Sequence, residues 1–257
     1  MECMLAQPTR ELPRAERYLY QEKADGERAI ITIAKGKIEA FNRRDKNITR
    51  NFIKELSQVK INCESAVLDA ELCAESFERL QQRALTQSQT KIQLLSKIIP
   101  VSICVFDVLS VNGKDLTKEE LQQRLKLLKV ILQENEAIKV LPTYEHTELD
   151  KLLDSVKQKN GEGIMVKDRF SRYEFKRTDT WLKYKFFQEK VMRFPSYSEN
   201  PAGIRLSDGS NAVQVAGQQA REVKDLIDTK GYVDVSVQYL ALSKNGLMRF
   251  PSFRGLA

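Results

Sequence analysis

The chain has 257 residues, 42% hydrophobic and 30% charged, and its 42 Lys and Arg against 35 Asp and Glu give a formal charge of +7. This length allows one large domain or one medium and one small domain. No apolar run approaches the ~18 residues of a membrane span, so a globular protein with no membrane partner is expected. The basic balance favours a polyanion such as nucleic acid without deciding for it.

The opening MECMLAQPTRELPRAERYLY lacks the basic, apolar, small-residue order of a secretory signal, and a cytoplasmic setting is expected. From Tyr18 to Phe41, RYLYQEK, ADGE, RAIITIA, KGK and IEAFNRR predict three strands joined by Asp-Gly and Lys-Gly turns, an antiparallel meander. TRNFIKELSQVK has Phe52, Ile53, Leu56 and Val59 at helical spacing, with Thr49 as its cap. SAVLDAELCAE alternates as a strand, with Leu68, Ala70 and Leu72 on one side and Asp69 and Glu71 on the other. SFERLQQRALTQSQTKIQLLSKI reads as one or two helices, VSICVFDVLSVNGKDL as an apolar strand ending in an Asn-Gly turn, and TKEELQQRLKLLKVILQEN as an amphipathic helix. A short strand (IKVLPTYEH), a helix (TELDKLLDSVKQKN) and a strand opened by GEGIMVKDR follow. From about Glu189 the pattern is short strands with one helix, REVKDLIDTK, which suits a small barrel of the oligonucleotide-binding type and places a boundary near residues 186–190. The near-repeat MRFPSY (192–197) and MRFPSF (248–253) fits two barrel strands with similar surroundings, each proline at a strand edge or end.

Cys3, Cys63, Cys73 and Cys104 form no CxxC pair and are expected as buried free thiols. With His146 the only histidine, a zinc-protease site, a His–Asp relay and a His-based metal cluster are excluded. Acid–base chemistry therefore rests on lysine and carboxylates.

YQEKADGERA, residues 20–29, reads first as a charged turn with Glu22, Lys23, Glu27 and Arg28 as a solvated face. The chemical reading makes Lys23 a nucleophile, whose ammonium, ordinarily titrating near ~10.4, must be desolvated or set beside positive charge to lose its proton. Its electrophile then needs a phosphate clamp, a divalent metal and a hold on its base. Glu71 in LDAEL and Glu162 in GEGIMVK offer hard oxygens that suit Mg2+. Lys183 and Lys185 in WLKYK share a strand face with Trp181, and Lys167, Arg169, Arg172, Lys176 and Arg177 lie close upstream. Phe106 in CVFDVL can stack on a purine, although an aromatic in an apolar strand is more often core.

In their order these segments resemble one family. Lys23-Ala24-Asp25-Gly26-Glu27-Arg28 resembles the KxDGxR motif of the covalent nucleotidyltransferases, the family of ATP-dependent DNA ligases, RNA ligases and mRNA capping enzymes. NRRDKNIT, LDAEL, VFDVL, EGIMVK and WLKYK are similar to its later motifs in the same order, and the likeness runs over about residues 18–257. SFERLQQR, FDVLSVNGKDL with its following helix, and NGLMRFPSFRGL are similar to the DNA ligases in particular. The resemblance implies an α+β fold: a nucleotidyltransferase (adenylation) domain of ATP-grasp-like antiparallel sheets with helices over residues 1–187, then a small OB-fold β-barrel over 188–257.

It also implies the chemistry. Lys23 takes AMP from ATP with Mg2+ (or Mn2+), AMP passes to the 5′-phosphate of nicked double-stranded DNA, and the 3′-hydroxyl displaces it. An RNA ligase or mRNA-capping-type nucleotidyltransferase is the alternative on the same core. A catalytically silent nucleic-acid-binding module is a third, against which the intact lysines and carboxylates argue. By the resemblance, Arg28 and Arg43 contact the AMP ribose, phosphate or DNA 5′-phosphate, Glu71 holds ribose or metal, Glu162 binds metal, Phe106 stacks on adenine, and Lys183 and Lys185 hold phosphate. Ligases often place glutamate two residues before the nucleophile to recognise adenine. Here Gln21 stands there with Glu22 beside it, and the Gln21 carbonyl suits the adenine amino group. Arg44, Lys167, Arg169, Arg172, Lys176 and Arg249 are expected on DNA, and Asp25 and Gly26 are expected to shape the loop. The family usually continues into an arginine- and charge-containing motif where this sequence reads FRGLA, so slow or unusual adenylation is expected, Arg249 and Arg254 being imperfect substitutes. Without a separate N-terminal DNA-binding domain, grip on DNA is expected from the basic face and the barrel, weakening steeply with salt. A monomer is expected, acting in the cytoplasm, at a nucleoid or, if virus-encoded, in a host cytoplasm.

Overall fold

The computed structural model describes residues 2–243 and 245–257. Its chain divides into two units, Met1–Tyr184 and Lys185–Ala257. The first unit contains strands β1 (Leu5–Thr9), β2 (Tyr18–Glu22), β3 (Glu27–Ala34), β4 (Lys37–Asn42), β5 (Lys60–Ile61), β6 (Ser65–Cys73), β7 (Ser102–Val111), β8 (Lys114–Asp115), β9 (Leu132–Gln133), β10 (Ile138–Val140), β11 (Gly163–Asp168) and β12 (Arg177–Lys185). Its helices are α1 (Thr49–Leu56), α2 (Phe77–Ala84), α3 (Gln89–Ile98), α4 (Leu121–Ile131) and α5 (Leu149–Gln158).

These strands form a sheet of order β1-β12-β11-β2, a sheet of order β10-β7-β6-β3-β4 with β8 on β7, and a small β5–β9 pair. Antiparallel pairing predominates, but β1 runs parallel to β12 and β10 parallel to β7, which corrects the expectation of antiparallel sheets. Helix α4 lies between β7 and β10 in the chain, and such a crossover returns a strand parallel to its predecessor.

The meander expected over residues 18–41 is half present. β3 and β4 form a hairpin around Lys35 and Gly36, both at positive φ (50° and 74°), the backbone a two-residue turn requires. Asn112 and Gly113 (49° and 78°) do the same between β7 and β8. β2 and β3, however, belong to different sheets: β2 pairs with β11, and β3 with β4 and β6. The Asp25-Gly26 segment is therefore a crossover and not a hairpin turn. A Cβ at Gly26 would stand 2.1 Å from the Leu72 carbonyl oxygen, so glycine is needed there for close passage against β6. Thr49 does not cap α1 either: Ile48 occupies the cap position, and the Thr49 hydroxyl accepts from the Ala40 amide at 2.9 Å.

One core joins the unit, with Ala29, Ile30, Leu68, Leu72, Ile103 and Val105 of the larger sheet packed with Phe52 and Leu56 of α1 and Leu121, Leu125 and Leu128 of α4. α5 packs on β2 and β11. On β7 a bulge sets Ala70 opposite Val105 and Asp69 opposite Asp107, leaving Phe106 as the extra residue. Asp107 is fully buried and forked by Arg124 (2.8 and 2.9 Å), whose Nη1 also donates to the Glu119 and Ser171 carbonyls. Glu55 and Arg83 make a second buried fork, at 2.8 Å for both contacts.

The second unit has β13 (Gln188–Phe194), β14 (Ser196–Asn200), β15 (Gly203–Ser207), β16 (Ala212–Val215), α6 (Gly217–Lys230), β17 (Val233–Tyr239), β18 (Ala241–Leu242), β19 (Met248–Arg249) and β20 (Ser252–Leu256). Its described strands form sheets β13-β17-β20 and β14-β15-β16 with a β18–β19 pair, and among the described residues they do not close into a barrel. Phe194, Leu206, Val213, Val223, Val235 and Val237 make its own core. The near-repeat does not share surroundings: Phe194 is fully buried, whereas Phe250 is 60% exposed with φ at 52°. Pro195 and Pro251 do fall between strands. Among the described residues no helix is long and apolar enough to cross a membrane.

Two stability outcomes follow from these contacts. Asp107→Ala leaves the Arg124 charge buried without its partner and is expected to cost about 3–5 kcal/mol in urea unfolding, while the apolar pair Asp107→Leu with Arg124→Met restores much of that loss. Gly26→Ala must displace backbone, because its Cβ meets a carbonyl, and is expected to cost about 1–3 kcal/mol in the same assay.

Candidate active site

Lys23 follows the last residue of β2, and its amide donates to the Gly163 carbonyl at 2.8 Å, tying that strand end to the start of β11. Its Nζ lies 2.5 Å from Oε2 of the buried Glu162. Beyond the Gly26 crossover, Arg28 arrives on β3 opposite Glu71. Its guanidinium forks onto the buried Asp69 carboxylate, at 2.6 Å from Nε and 2.5 Å from Nη2, and the Tyr173 hydroxyl donates to the same carboxylate at 2.6 Å. Burial alone would lower the Arg28 pKa, but the Asp69 charge and hydrogen bonds raise it above its ordinary value. Burial and the same carboxylate raise Tyr173.

These groups border a cavity of about 850 Å³. Of the residues expected at the site, Gln21, Glu22, Lys23, Arg28, Arg43, Arg44, Glu71, Phe106, Lys167 and Lys183 line it, and Glu162 joins it through Lys23. Arg169, Arg172 and Lys176 are not in its wall: Arg169 pairs with Glu145, Lys176 with Glu174, and Arg172 is exposed. Lys185 and Arg249 belong to the second unit, where both stand over the Phe250 ring, at 5.0 and 5.8 Å.

Their partners separate the two candidates for reading a base. Gln21 lies opposite Met165 on β2, both in the cavity wall, whereas Glu22, also at the wall, has its carboxylate 3.7 Å from Lys159. The Gln21 amide donates to the Thr143 hydroxyl at 2.9 Å, and its buried Oε1 has no partner. Deeper in, Lys167 Nζ lies 4.5 Å from the Phe106 ring centre and 4.0 Å from that of Trp181, and the Arg28 guanidinium lies 4.9 Å from Phe106. Burial pulls Lys167 down to about 7 although Asp107 opposes the shift. Burial likewise pushes the Glu71 carboxyl up to about 7, against Lys23 and Arg28. Among the described residues no group of three or more His, Cys, Asp or Glu is placed to hold a metal ion. Glu71 and Glu162 do stand together around Lys23, and Mg2+ takes one or two carboxylates with phosphate oxygens and water as its other ligands.

Residues 3–185 match the family of the ATP dependent DNA ligase domain. The chain belongs to the ATP-dependent DNA ligase family. Its curated relatives include the bifunctional non-homologous end joining protein LigD of Bacillus subtilis, 24% identical over 95% of this chain and 47% of that protein. DNA ligase 1 of Drosophila melanogaster is 32% identical over 71% of this chain and 27% of its own length. The chain thus spans about a quarter to a half of these ligases. A structure from a study of DNA binding with a minimal scaffold in Lig E DNA ligases superposes with a TM-score of 0.72 at 19% identity, covering 100% of this chain and 99% of that one. Mycobacterial DNA ligase D complexed with ATP and MES gives 0.57 at 18% identity, covering 100% and 94%. At such identities the likeness is one of fold.

The sequence reading gave no role to Asp69 and Tyr173, which hold Arg28; Arg177, expected near the phosphate clamp, lines the cavity and donates to the Ala6 carbonyl at 2.6 Å. Two carboxylates spaced by one residue on a strand were the available signal for Asp69. Tyr173 carried none, because its partner is set by tertiary contact alone. Lys167, expected on DNA, is buried between aromatic rings.

That burial sets a pH dependence. Unfolded, Lys167 titrates near ~10.4; folded, near 7, so between these values the unfolded state binds the extra proton and the wild type gains stability as pH rises. Lys167→Met removes the cost of burying the charge. Its stability advantage over wild type, on the order of a few kcal/mol, is expected to be full at pH 6 and to fade towards pH 10 in denaturant titrations. An advantage independent of pH contradicts the assignment.

Proposed function

We propose that this chain seals nicks in duplex DNA with ATP, through AMP carried on Lys23. The observation that carries the reading is the Lys23 ammonium held 2.5 Å from a buried carboxylate in the wall of a cavity rich in cations. Lys23 Nζ attacks the α-phosphate, the bond to pyrophosphate breaks, and Glu162 Oε2 is placed to take the ammonium proton. Arg28, Arg43 and Lys183 supply positive charge to the phosphates and to the oxyanion that develops on phosphorus. Their fixed position is part of the effect: Arg28 cannot swing, because Asp69 holds both arms of its fork. Glu71 and Glu162 would hold Mg2+, which supplies charge neutralisation on the phosphates. Phe106 and Met165 offer apolar contact to adenine, and Gln21 Oε1 an acceptor for its amino group.

The AMP then activates a DNA 5′-phosphate, and the 3′-hydroxyl displaces it. The exposed Arg43 and Arg44 at the rim suit the DNA phosphates. For residues 188–257 we propose an oligonucleotide-binding module acting with the adenylation domain of residues 1–187. Its two three-stranded sheets around one apolar core, with α6 packed on β15 and β17, support that reading. The enzyme is proposed to act as a monomer.

Incubation with α-labelled ATP and Mg2+ is expected to label the protein covalently, and Lys23→Ala to abolish the label. Glu162→Gln is expected to slow labelling by about 10²–10⁴-fold, the range for a lost proton acceptor. Label on Lys23→Ala protein sinks the mechanism, and labelling by GTP in place of ATP moves the chain to the capping-type reading. Nick closure on DNA but not on RNA completes the assignment.

A further inference from the structure

The sheet face that carries Glu71 also carries two cysteines that the proposed chemistry does not use. Cys73 ends β6 two residues after Glu71, and Cys104 lies on β7 two residues before Phe106. The register sets Glu71 opposite Cys104 and Cys73 opposite Ser102, which makes the two thiols diagonal neighbours on one face. The Cys73 thiol donates to the Glu71 carbonyl on its own strand at 3.9 Å. Both thiols are free and half-buried; of the four cysteines expected to be buried, only Cys3 is.

Their place in the ladder gives the pair a mechanical consequence. Cys73 and Ser102 form the last matched pair of β6 and β7, and strand ends open more readily than strand centres. Diagonal neighbours are typically ~7–8 Å apart, whereas a disulfide usually spans Cα atoms ~4.4–6.8 Å apart. Closing the bond must draw the end of β6 across towards Cys104. Glu71, two residues back on the same strand and directly opposite Cys104, moves with it.

We propose that Cys73 and Cys104 are a dithiol modification site for peroxides, and that their disulfide displaces Glu71 and slows lysine adenylation; the second half rests on the ligase reading. Cys104 Sγ attacks one peroxide oxygen, the O–O bond breaks, and the other oxygen leaves as water with the Cys104 proton, giving a sulfenic acid. Cys73 Sγ attacks that sulfur, the S–O bond breaks, and a second water leaves with the Cys73 proton. Two thiols give up two electrons and two protons, and one peroxide becomes two waters.

The test treats the full chain with hydrogen peroxide and reads three signals. Peptide mass mapping without reductant is expected to find Cys73 linked to Cys104, with Cys3 and Cys63 unlinked. Emission from Trp181, the only tryptophan and a cavity-wall residue, is expected to shift on oxidation and return with dithiothreitol. Lysyl-AMP formation is expected to fall by up to about a hundredfold, the scale for an ångström-sized misplacement, and to recover with reductant. Cys73→Ser and Cys104→Ser are each expected to keep the reduced rate and resist peroxide. Absence of the linked peptide, inactivation of the serine variants as fast as wild type, or a disulfide that leaves both emission and rate unchanged overturns the proposal. If the reduced protein forms no lysyl-AMP, the ligase reading fails while mapping and emission still decide the dithiol.

Discussion

The site depends on a place where no side chain fits. A Cβ at Gly26 would lie 2.1 Å from the Leu72 carbonyl, so the chain between Lys23 and Arg28 runs hard against β6 as it leaves one sheet and enters the other. Had β2 and β3 formed a hairpin, Lys23 and Arg28 would be cross-strand neighbours in one sheet. As a crossover, the same six residues bring the lysine at the end of one sheet and the arginine at the start of the next to a single cavity.

Charge in that cavity is managed in two ways. Arg28, forked onto Asp69, is held in its charged form, and Lys23 lies 2.5 Å from the Glu162 carboxylate. Groups with burial but no hydrogen-bonded partner drift towards neutrality, Lys167 downwards and Glu71 upwards, both to about 7. Desolvation in a low-dielectric wall penalises whichever form is charged, and only a fork or a close ion pair overcomes it. Asp69 and Tyr173 therefore matter to Arg28 as much as its own position on β3, since without them the guanidinium would be a buried charge facing aromatic rings.

Local patterns were legible in the sequence wherever one element decided them. The Lys35-Gly36 and Asn112-Gly113 turns, the amphipathic helices and the alternation of β6 follow from residue type and spacing, and Lys23, Arg28, Glu71, Phe106 and Lys183 do meet at one cavity. What failed was partnership. Alternation gives the face of a strand but not its neighbour, so the β2–β3 pairing was misassigned while both strands were correctly placed. The bulge at Phe106, the fork from Arg124 to Asp107 and the burial of Lys167 arise from contacts across the fold, and no local period signals them. The closed barrel is a further case: a series of short strands and one helix was visible, but closure depends on edge pairings that spacing does not contain.

Under the proposed function, Gln21 would turn a departure from a motif into a specificity. The Thr143 hydroxyl donates to the Leu141 carbonyl at 3.5 Å, which leaves it an acceptor towards Gln21 and fixes the amide with its NH2 on Thr143 and Oε1 bare. A glutamate in this buried position would have to shed hydration from a charge. The amide presents one uncharged acceptor in a fixed direction instead. A base edge offering an amino hydrogen satisfies that oxygen, whereas one offering a carbonyl oxygen sets lone pair against lone pair and leaves both unsatisfied. An unpaired buried acceptor costs ~1–3 kcal/mol, enough to favour adenine over guanine by about ten- to a hundredfold without any charged group reading the base.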